Sequence, residues 1–341
     1  MKITEKDFGA GYQLITITNE SGFHLAVTDL GARIVSLGRD QELVLGFDSA
    51  EEYLAKDPFI GATIGRTAGR IENGRFTLDG KAYQVAVDPA NGHSLHGGKP
   101  GFETKKWDYT IEEDDQSASV VFTLTSPAGE HGFPGELQVE VRHTLTQDNI
   151  WRVTTKGISD HATLFNPTNH VYFNLTGDVT EAIDQHTLWL NSDSFAFLRP
   201  DTIPTGEIAP VAGTAFDFQT EKPLAAVFTS DFAQKNQCNG LDHPFFLKEK
   251  DIRQPAAKLT SADDKTELTV STDSSSVVIF TANFGADGPL MHGKKLAHHG
   301  GITFETQIAP GAEQYPDFGS IKLPANETFE TTTEYKIDFK N

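Results

Sequence analysis

The sequence of 341 residues has little cysteine, few basic residues and no long apolar run. Its one cysteine, Cys238, excludes an intramolecular disulfide and any zinc site built from several cysteines, and it favours a reducing compartment. No stretch approaches membrane-spanning length, and the first twenty residues contain no continuous apolar segment of the kind found in signal peptides. We therefore expect a cytoplasmic protein that has no membrane partner.

Positive charge is scarce as well. The chain has 28 lysines and arginines against 48 acidic residues, which gives a formal charge of -20. Such a surface repels phosphate backbones, so nucleic acid is not expected as a partner. With 38% hydrophobic residues the chain can nevertheless bury a sizeable core.

Motifs for nucleotides and metals are also missing. The segment GATIGRTAGRI (residues 61–71) is rich in glycine but lacks the lysine of a phosphate-binding loop and the strand-to-helix setting of a dinucleotide fingerprint. His93 and His96 have a spacing that could ligate a metal, but no third ligand is evident nearby. We expect neither a cofactor nor a metal.

The patterns that are present are those of β-strands. Short runs rich in Val, Ile, Thr and aromatic residues alternate with period two between turn residues, and Asp79-Gly80 between two such runs predicts a hairpin. The clearest predicted strands are residues 13–18, 24–28, 137–141, 277–280 and 330–339. Helices are expected only at residues 49–55 and within 223–235. Because no linker or repeat interrupts the pattern, we predict an all-β fold, a large antiparallel β-sandwich with few short helices, formed by a single domain over residues 1–341.

Two segments combine this alternation with ionisable groups. In NPTNHVYFNL (residues 166–175), a strand would place His170, Tyr172 and Asn174 on one face and apolar residues on the other. In GITFETQ (residues 301–307), Glu305 shares a face with Thr303 and Gln307, opposite an apolar face. Taken alone, His170 could equally be a structural histidine, and Glu305 could equally be an exposed surface charge.

Three further motifs carry candidate polar ligands. Arg66 and Arg70 could present planar donors to ligand oxygens or could be solvated. One histidine of NGHSLHGG (residues 91–98) could hydrogen-bond a ligand, although the local sequence does not distinguish His93 from His96. In GLDHPF (residues 240–245), Asp242 could bind a sugar hydroxyl or cap a turn.

Together the segments GRTAGRI, NGHSLHGG, NPTNHVYFNL, GLDHPF and GITFETQ resemble the aldose 1-epimerase (galactose mutarotase) family in order and spacing. The resemblance implies the supersandwich fold of that family and an isomerase that interconverts the α and β anomers of free aldoses such as galactose and glucose. It implies Glu305 as the general base and His170 as the acid. By the same resemblance His96 would hold and polarise the ring oxygen, and Arg70 and Asp242 would bind sugar hydroxyls.

The chemistry agrees with this resemblance, because ring opening takes one proton and gives another, and re-closure reverses both transfers. A small sugar is the expected partner, bound by a monomer or homodimer. Three alternatives remain open: an epimerase of hexose 6-phosphates, with Arg66 and Arg70 on the phosphate; a glycoside hydrolase; and a non-catalytic sugar-binding module. The sequence departs from many relatives at Gly69, where they carry asparagine, and in the spacing after Gln307.

Overall fold

The structure is a computed structural model that describes residues 1–340. Over that range the chain forms thirty strands and three short α-helices. The helices are α1 (Ala50–Lys56), α2 (Ala225–Phe228) and α3 (Ala233–Cys238). The side chain of Ser49 caps α1 by accepting a hydrogen bond from the backbone N–H of Glu52. None of the helices within residues 1–340 has the length and apolar character needed to cross a membrane.

The strands are short and lie along the whole chain. The first ten are β1 (Lys2–Gly9), β2 (Tyr12–Thr18), β3 (His24–Thr28), β4 (Arg33–Gly38), β5 (Thr63–Ile64), β6 (Arg70–Ile71), β7 (Arg75–Leu78), β8 (Lys81–Gln84), β9 (Ser94–Leu95) and β10 (Asp108–Glu113). The next ten are β11 (Ser117–Ser126), β12 (Leu137–Thr146), β13 (Ile150–Ser159), β14 (Thr163–Leu164), β15 (Thr168–Asn169), β16 (Tyr172–Phe173), β17 (Thr187–Leu190), β18 (Ser192–Leu198), β19 (Pro204–Pro210) and β20 (Lys222–Pro223). The last ten are β21 (Asp242–Leu247), β22 (Pro255–Thr260), β23 (Thr266–Thr272), β24 (Ser276–Phe280), β25 (Leu290–Met291), β26 (Lys294–Lys295), β27 (Ile302–Thr303), β28 (Glu305–Gln307), β29 (Lys322–Leu323) and β30 (Thr328–Phe339).

Three larger sheets organise these strands. One has nine strands in the order β10-β11-β12-β13-β30-β23-β22-β17-β20, a second has four in the order β1-β2-β3-β4, and a third has five in the order β19-β18-β21-β24-β28. Neighbouring strands pair antiparallel in all three. The remaining strands form two-stranded pairs.

The main hydrophobic core lies between these sheets. Trp151 and Val141 of the nine-stranded sheet belong to the same buried cluster as Val27 of the four-stranded sheet and Phe245 and Ile279 of the five-stranded sheet. The nine-stranded sheet therefore packs against both others, as expected for a sandwich whose inner faces alternate with polar outer faces. The predicted all-β antiparallel sandwich is confirmed.

Most of the predicted elements are also present. The hairpin at Asp79-Gly80 joins β7 to β8, and both turn residues have positive φ (51° and 77°) as the turn chemistry requires. Two predictions need correction. The helix expected within residues 223–235 is two short helices, α2 and α3, and the strand expected over residues 166–175 is broken into β15 and β16, which pair with β5 and β27 respectively. The single domain over residues 1–341 stays a prediction.

Candidate active site

A pocket of about 170 Å³ opens over one face of the five-stranded sheet. Because side chains two residues apart in a strand share a face, β21, β24 and β28 each contribute two lining residues to its floor. These floor residues are Asp242, Pro244, Val278, Phe280, Glu305 and Gln307. The walls come from loops, from short strands and from the ends of β18 and β19 in the same sheet. They comprise Asp57, Phe59, Gly69, Arg70, Leu95, His96, His170, Tyr172, Leu198, Thr202, Pro204, Phe284 and Pro310.

All five residues to which the family resemblance gives a role line this one pocket. They are Arg70, His96, His170, Asp242 and Glu305. They come from segments that are far apart along the chain, so only the folded chain brings them together. The candidate site is therefore a single concave cluster of two imidazoles, two carboxylates and one guanidinium.

Pairing of β6 with β9 brings the first two motifs together. Arg70 lies opposite Leu95, one residue before His96. After His96 the chain turns through Gly97, where an added Cβ would lie 2.3 Å from the carbonyl oxygen of Gly65. Only glycine permits so close a backbone approach. The glycines of the histidine motif therefore position His96 against the wall that carries Arg70.

The hydrogen bonding of His96 defines its tautomer. Its Nδ1 accepts a hydrogen bond from the backbone N–H of Gly69 at 3.2 Å, which leaves the proton of the neutral ring on Nε2. Burial lowers the pKa of His96 well below its usual value, and the positive charges of His170 and Arg70 add to that effect. His96 is therefore a neutral hydrogen-bond donor.

His170 and Glu305 contact each other directly. The distance from Nε2 of His170 to Oε1 of Glu305 is 3.4 Å, and both side chains are buried. His170 follows β15, and its backbone N–H donates to the carbonyl of Ala62. Glu305 begins β28, where Thr303 Oγ1 donates to its Oε1 at 3.2 Å. Two different sheets thus hold an imidazole and a carboxyl group side by side in the pocket.

The pocket shifts the pKa values of the two groups in opposite directions. Burial raises the pKa of Glu305 to about 8, and the nearby charge of Asp242 adds to the rise. Burial lowers the pKa of His170, while the negative charges of Asp57 and Asp242 oppose that lowering. Burial also raises the pKa of Asp242, against the charges of Arg70 and His170. A pair of groups with such shifts can exchange one proton near pH 7.

Several other candidates lie elsewhere and have structural partners. Arg66 is buried and donates to Ser126 Oγ and to the carbonyls of Ser126, Pro127 and Pro134, so it is not available to a ligand in the pocket. His93 accepts from the backbone N–H of Asn73 and lies 3.4 Å from Asp201. The ambiguity between the two histidines of NGHSLHGG is thereby resolved in favour of His96 as the one that lines the pocket.

The polar face expected for residues 166–175 is only partly correct. Tyr172 lines the pocket with His170, but Asn174 donates to the carbonyls of Glu181 and Gly300 outside it. The break between β15 and β16 explains the difference, because strict alternation holds only within a continuous strand. His243, beside Asp242, is buried against the ring of Phe216.

Sequence reasoning did not identify some of the lining residues as site residues. Tyr172 and Gln307 share a face with the chosen residues, so alternation was a usable signal for them. Asp57 and Phe59 follow helix α1 in a loop and had no periodic signal. Within residues 1–340, no group of three His, Cys, Asp or Glu side chains has the arrangement of a metal site.

The two departures noted in the sequence meet in space. Gly69 has φ of +76°, and a Cβ there would lie 2.4 Å from Cγ of Pro310. Pro310 belongs to the segment after Gln307 whose spacing is unusual, and both Gly69 and Pro310 line the pocket. A longer side chain at position 69 would have to displace Pro310, so the two departures form one coupled feature of the pocket wall.

Comparison with known proteins gives a consistent result. A family model described as aldose 1-epimerase matches residues 13–336. An aldose 1-epimerase of Escherichia coli K12 is 34% identical over 339 residues, 96% of each chain, and a galactose mutarotase of Bos taurus is 40% identical over 303 residues, 88% of this chain and 85% of the relative. A crystal structure of galactose 1-epimerase from Lactobacillus acidophilus superposes with a TM-score of 0.89 at 31% identity, covering 100% of this chain and 99% of the other.

Proposed function

The chain belongs to the aldose 1-epimerase family, and we propose that it interconverts the α and β anomers of free aldoses, with galactose as the expected substrate. The contact of 3.4 Å between His170 and Glu305 carries the proposal. Anomer exchange acts on the anomeric hydroxyl and the ring oxygen, which are both bonded to C1. An acid and a base that serve these two neighbouring oxygens must themselves be neighbours.

The proton balance follows from this geometry. The step begins from the form of the pair in which the shared proton lies on His170. The Glu305 carboxylate removes the proton of the anomeric hydroxyl while the His170 imidazolium protonates the ring oxygen, and the C1–O5 bond breaks to give the open aldehyde. Rotation about C1–C2 presents the other face of the carbonyl. Re-closure then returns one proton from Glu305 to the carbonyl oxygen and one from O5 to His170. The pair holds one proton before and after each step.

The remaining residues have roles that suit their placement. His96, a donor through Nε2, would hydrogen-bond the ring oxygen and polarise the bond that breaks. Arg70 and Asp242 would bind ring hydroxyls, the first as donor and the second as acceptor. The ring centroids of Phe59 and His96 are 4.9 Å apart. Phe59 gives the pocket an apolar surface suited to one face of a sugar ring.

The structure offers less support to the alternatives. A hexose 6-phosphate would need cationic ligands, and Arg66 is committed to backbone carbonyls. A cytoplasmic location, supported by the single cysteine, and a monomer or homodimer remain part of the proposal.

Polarimetry on freshly dissolved α-galactose tests the function. We expect the wild-type protein to accelerate the approach to anomeric equilibrium and Glu305→Gln to lose about 10²- to 10⁴-fold of that acceleration, the usual contribution of general acid–base catalysis. Glu103→Gln is the matched control, because Glu103 is also buried with a raised pKa but lies outside the pocket. Full activity in Glu305→Gln would contradict the mechanism, and no acceleration by the wild type would contradict the function.

A further inference from the structure

Gln307 is a buried amide in the pocket floor with no hydrogen-bond partner of its own. Its side chain is 2% exposed, and within residues 1–340 neither Oε1 nor Nε2 of Gln307 has a hydrogen-bond partner. A buried amide that makes no hydrogen bonds destabilises the free protein. Such an arrangement is typical of groups that find their partner in a bound ligand.

The backbone of Gln307 is fixed relative to Glu305. Both belong to β28 and lie two residues apart, so their side chains share the face that forms the pocket floor. Ser276 of the neighbouring strand pairs with Gln307, and its Oγ donates to the Gln307 carbonyl at 2.8 Å. Two residues of a strand span about 7 Å. A single hexose that presents its anomeric oxygen to Glu305 covers that distance.

The pairing pattern also shows which part of the sugar lies near Gln307. Across the sheet, Asp242 pairs with Phe280, whereas Glu305 pairs with Val278. Gln307 pairs with Ser276. Along the strand direction Glu305 therefore lies between Asp242 on one side and Gln307 on the other. Gln307 and Asp242 therefore flank Glu305 and would contact different hydroxyls.

A second buried amide shows how a structural glutamine is held in this protein. Gln234 is fully buried, its Oε1 accepts from the N–H of Leu198 at 2.8 Å, and its Nε2 donates to the Leu198 carbonyl at 3.0 Å. Both of its polar groups are satisfied by the chain. Gln307 has the same burial without either bond, so packing alone does not account for an amide at position 307.

We propose that Gln307 is a substrate-binding residue whose amide donates to and accepts from a ring hydroxyl remote from the anomeric centre. The proposal rests on the proposed function, because the ligand it requires is the polyhydroxylated ring of an aldose. A hydroxyl group is both donor and acceptor, which matches the two orphaned atoms of the amide. Gln307 would thereby contribute to the choice among aldoses that differ at that hydroxyl.

The test compares Gln307→Leu with the wild type on galactose and on its 2-, 3-, 4- and 6-deoxy derivatives, by polarimetry. We expect kcat/KM for galactose to fall about 10- to 100-fold in Gln307→Leu. For one of the deoxy sugars, kcat/KM of the wild-type protein should fall by a similar factor relative to galactose. With that sugar, Gln307→Leu should have the same kcat/KM as the wild type. That pattern identifies the hydroxyl that Gln307 binds, because removing either partner of one hydrogen bond removes the same interaction.

Thermal unfolding separates binding from a structural role. Gln307→Leu and the second variant Gln307→Met should unfold at or above the wild-type temperature, whereas Gln234→Leu should unfold at a lower one. A lowered unfolding temperature in both Gln307 variants, or a loss of kcat/KM that is equal for every deoxy sugar, would overturn the proposal. A wild-type protein that does not accelerate mutarotation at all refutes the proposed function itself, and the role of Gln307 with it.

Discussion

Asp57 is a carboxylate in the pocket wall whose charge acts on His170. Burial lowers the pKa of that imidazole, and Asp57 is the largest charge that opposes the effect, ahead of Asp242. The same carboxylate accepts a hydrogen bond from the backbone N–H of Phe59 at 2.9 Å, which fixes the loop it belongs to. Because the acid of the reaction must carry a proton, Asp57 supports activity by keeping His170 protonated to higher pH.

Asp57→Asn should therefore shift the pH profile. The amide oxygen of asparagine can still accept from Phe59, but the negative charge is lost, so the pKa of His170 falls further. We expect the alkaline limb of kcat/KM to move to lower pH by about 0.5–1 unit. Measurement of the profile at low ionic strength checks this, with Asp115→Asn as the control of equal charge change at an exposed turn between β10 and β11. An unchanged limb, or an equal shift in the control, would refute the role of Asp57.

At this scale the sequence predicted the polar ligands better than their surroundings. Glu305 could be placed because the alternation persists across the break between β27 and β28, and Ile302 and Phe304 are both core. Its contact with His170 could not be derived from either segment, since it depends on two different sheets meeting. Asp57 lies in a loop, whose side-chain directions follow no period, and no local pattern would have identified it.

At the scale of elements, the loop after β28 and the segment before β6 form one wall of the pocket. Asn166 connects them: its side chain accepts from the N–H of Ile308 and donates to the carbonyl of Ile308, while its backbone bonds to Arg66 and Ala68. The sequence showed the unusual loop and the unusual glycine as separate departures. Their contact depends on the path of the loop, which spacing alone does not determine.

Gly69→Ala tests this contact. The added Cβ would lie 2.4 Å from Cγ of Pro310, and the alanine would have to adopt a φ of +76°, which L-residues rarely do. The free energy of unfolding should therefore fall by about 2–4 kcal/mol. The activity should fall as well, because the Gly69 N–H orients His96. Urea unfolding and polarimetry provide the two measurements.

Gly213→Ala is the matched control for that variant, because Gly213 also has φ of +76° but has nothing within 4 Å of an added Cβ. Its free energy of unfolding should fall only by the cost of the positive φ, about 1–2 kcal/mol. Combining Gly69→Ala with Pro310→Gly should be less harmful than the sum of the two single changes, since the second removes the atoms that the first would meet. Simple additivity would show that the two residues are not coupled.

At the scale of the whole molecule, buried neutral histidines link stability to pH. Burial lowers the pKa of His143 and His186 to about 4 and that of His243 to about 3. These residues are distributed over the sandwich: His143 lies in the nine-stranded sheet, His243 in the five-stranded sheet, and His186 just before β17. In each case the folded protein stays unprotonated at pH values where the unfolded chain takes up a proton.

The sign of the effect follows from that difference. As pH falls below about 6.5, the unfolded state binds more protons at these histidines than the folded state, so the free energy of unfolding decreases towards the folded pKa values. Glu305 and Glu313 act in the opposite sense, because burial raises the pKa of Glu305 to about 8 and that of Glu313 to about 7, and the folded protein then retains protons that the unfolded chain releases. The net slope combines both groups, so a single histidine must be isolated by comparison.

His243→Phe provides that comparison, since the ring already packs 4.7 Å from Phe216 and 6.0 Å from Phe195 between centroids. Phenylalanine cannot take up a proton in the unfolded state, so the acid-dependent loss at this position disappears. Between pH 7 and pH 5 we expect the stability of the variant relative to the wild type to rise by about 2 kcal/mol, measured by urea unfolding at both pH values. Phe165→Leu, at a buried ring that carries no titratable group, should leave the wild-type pH dependence unchanged. If the difference between His243→Phe and the wild type is the same at pH 7 and pH 5, His243 is not held neutral by its burial.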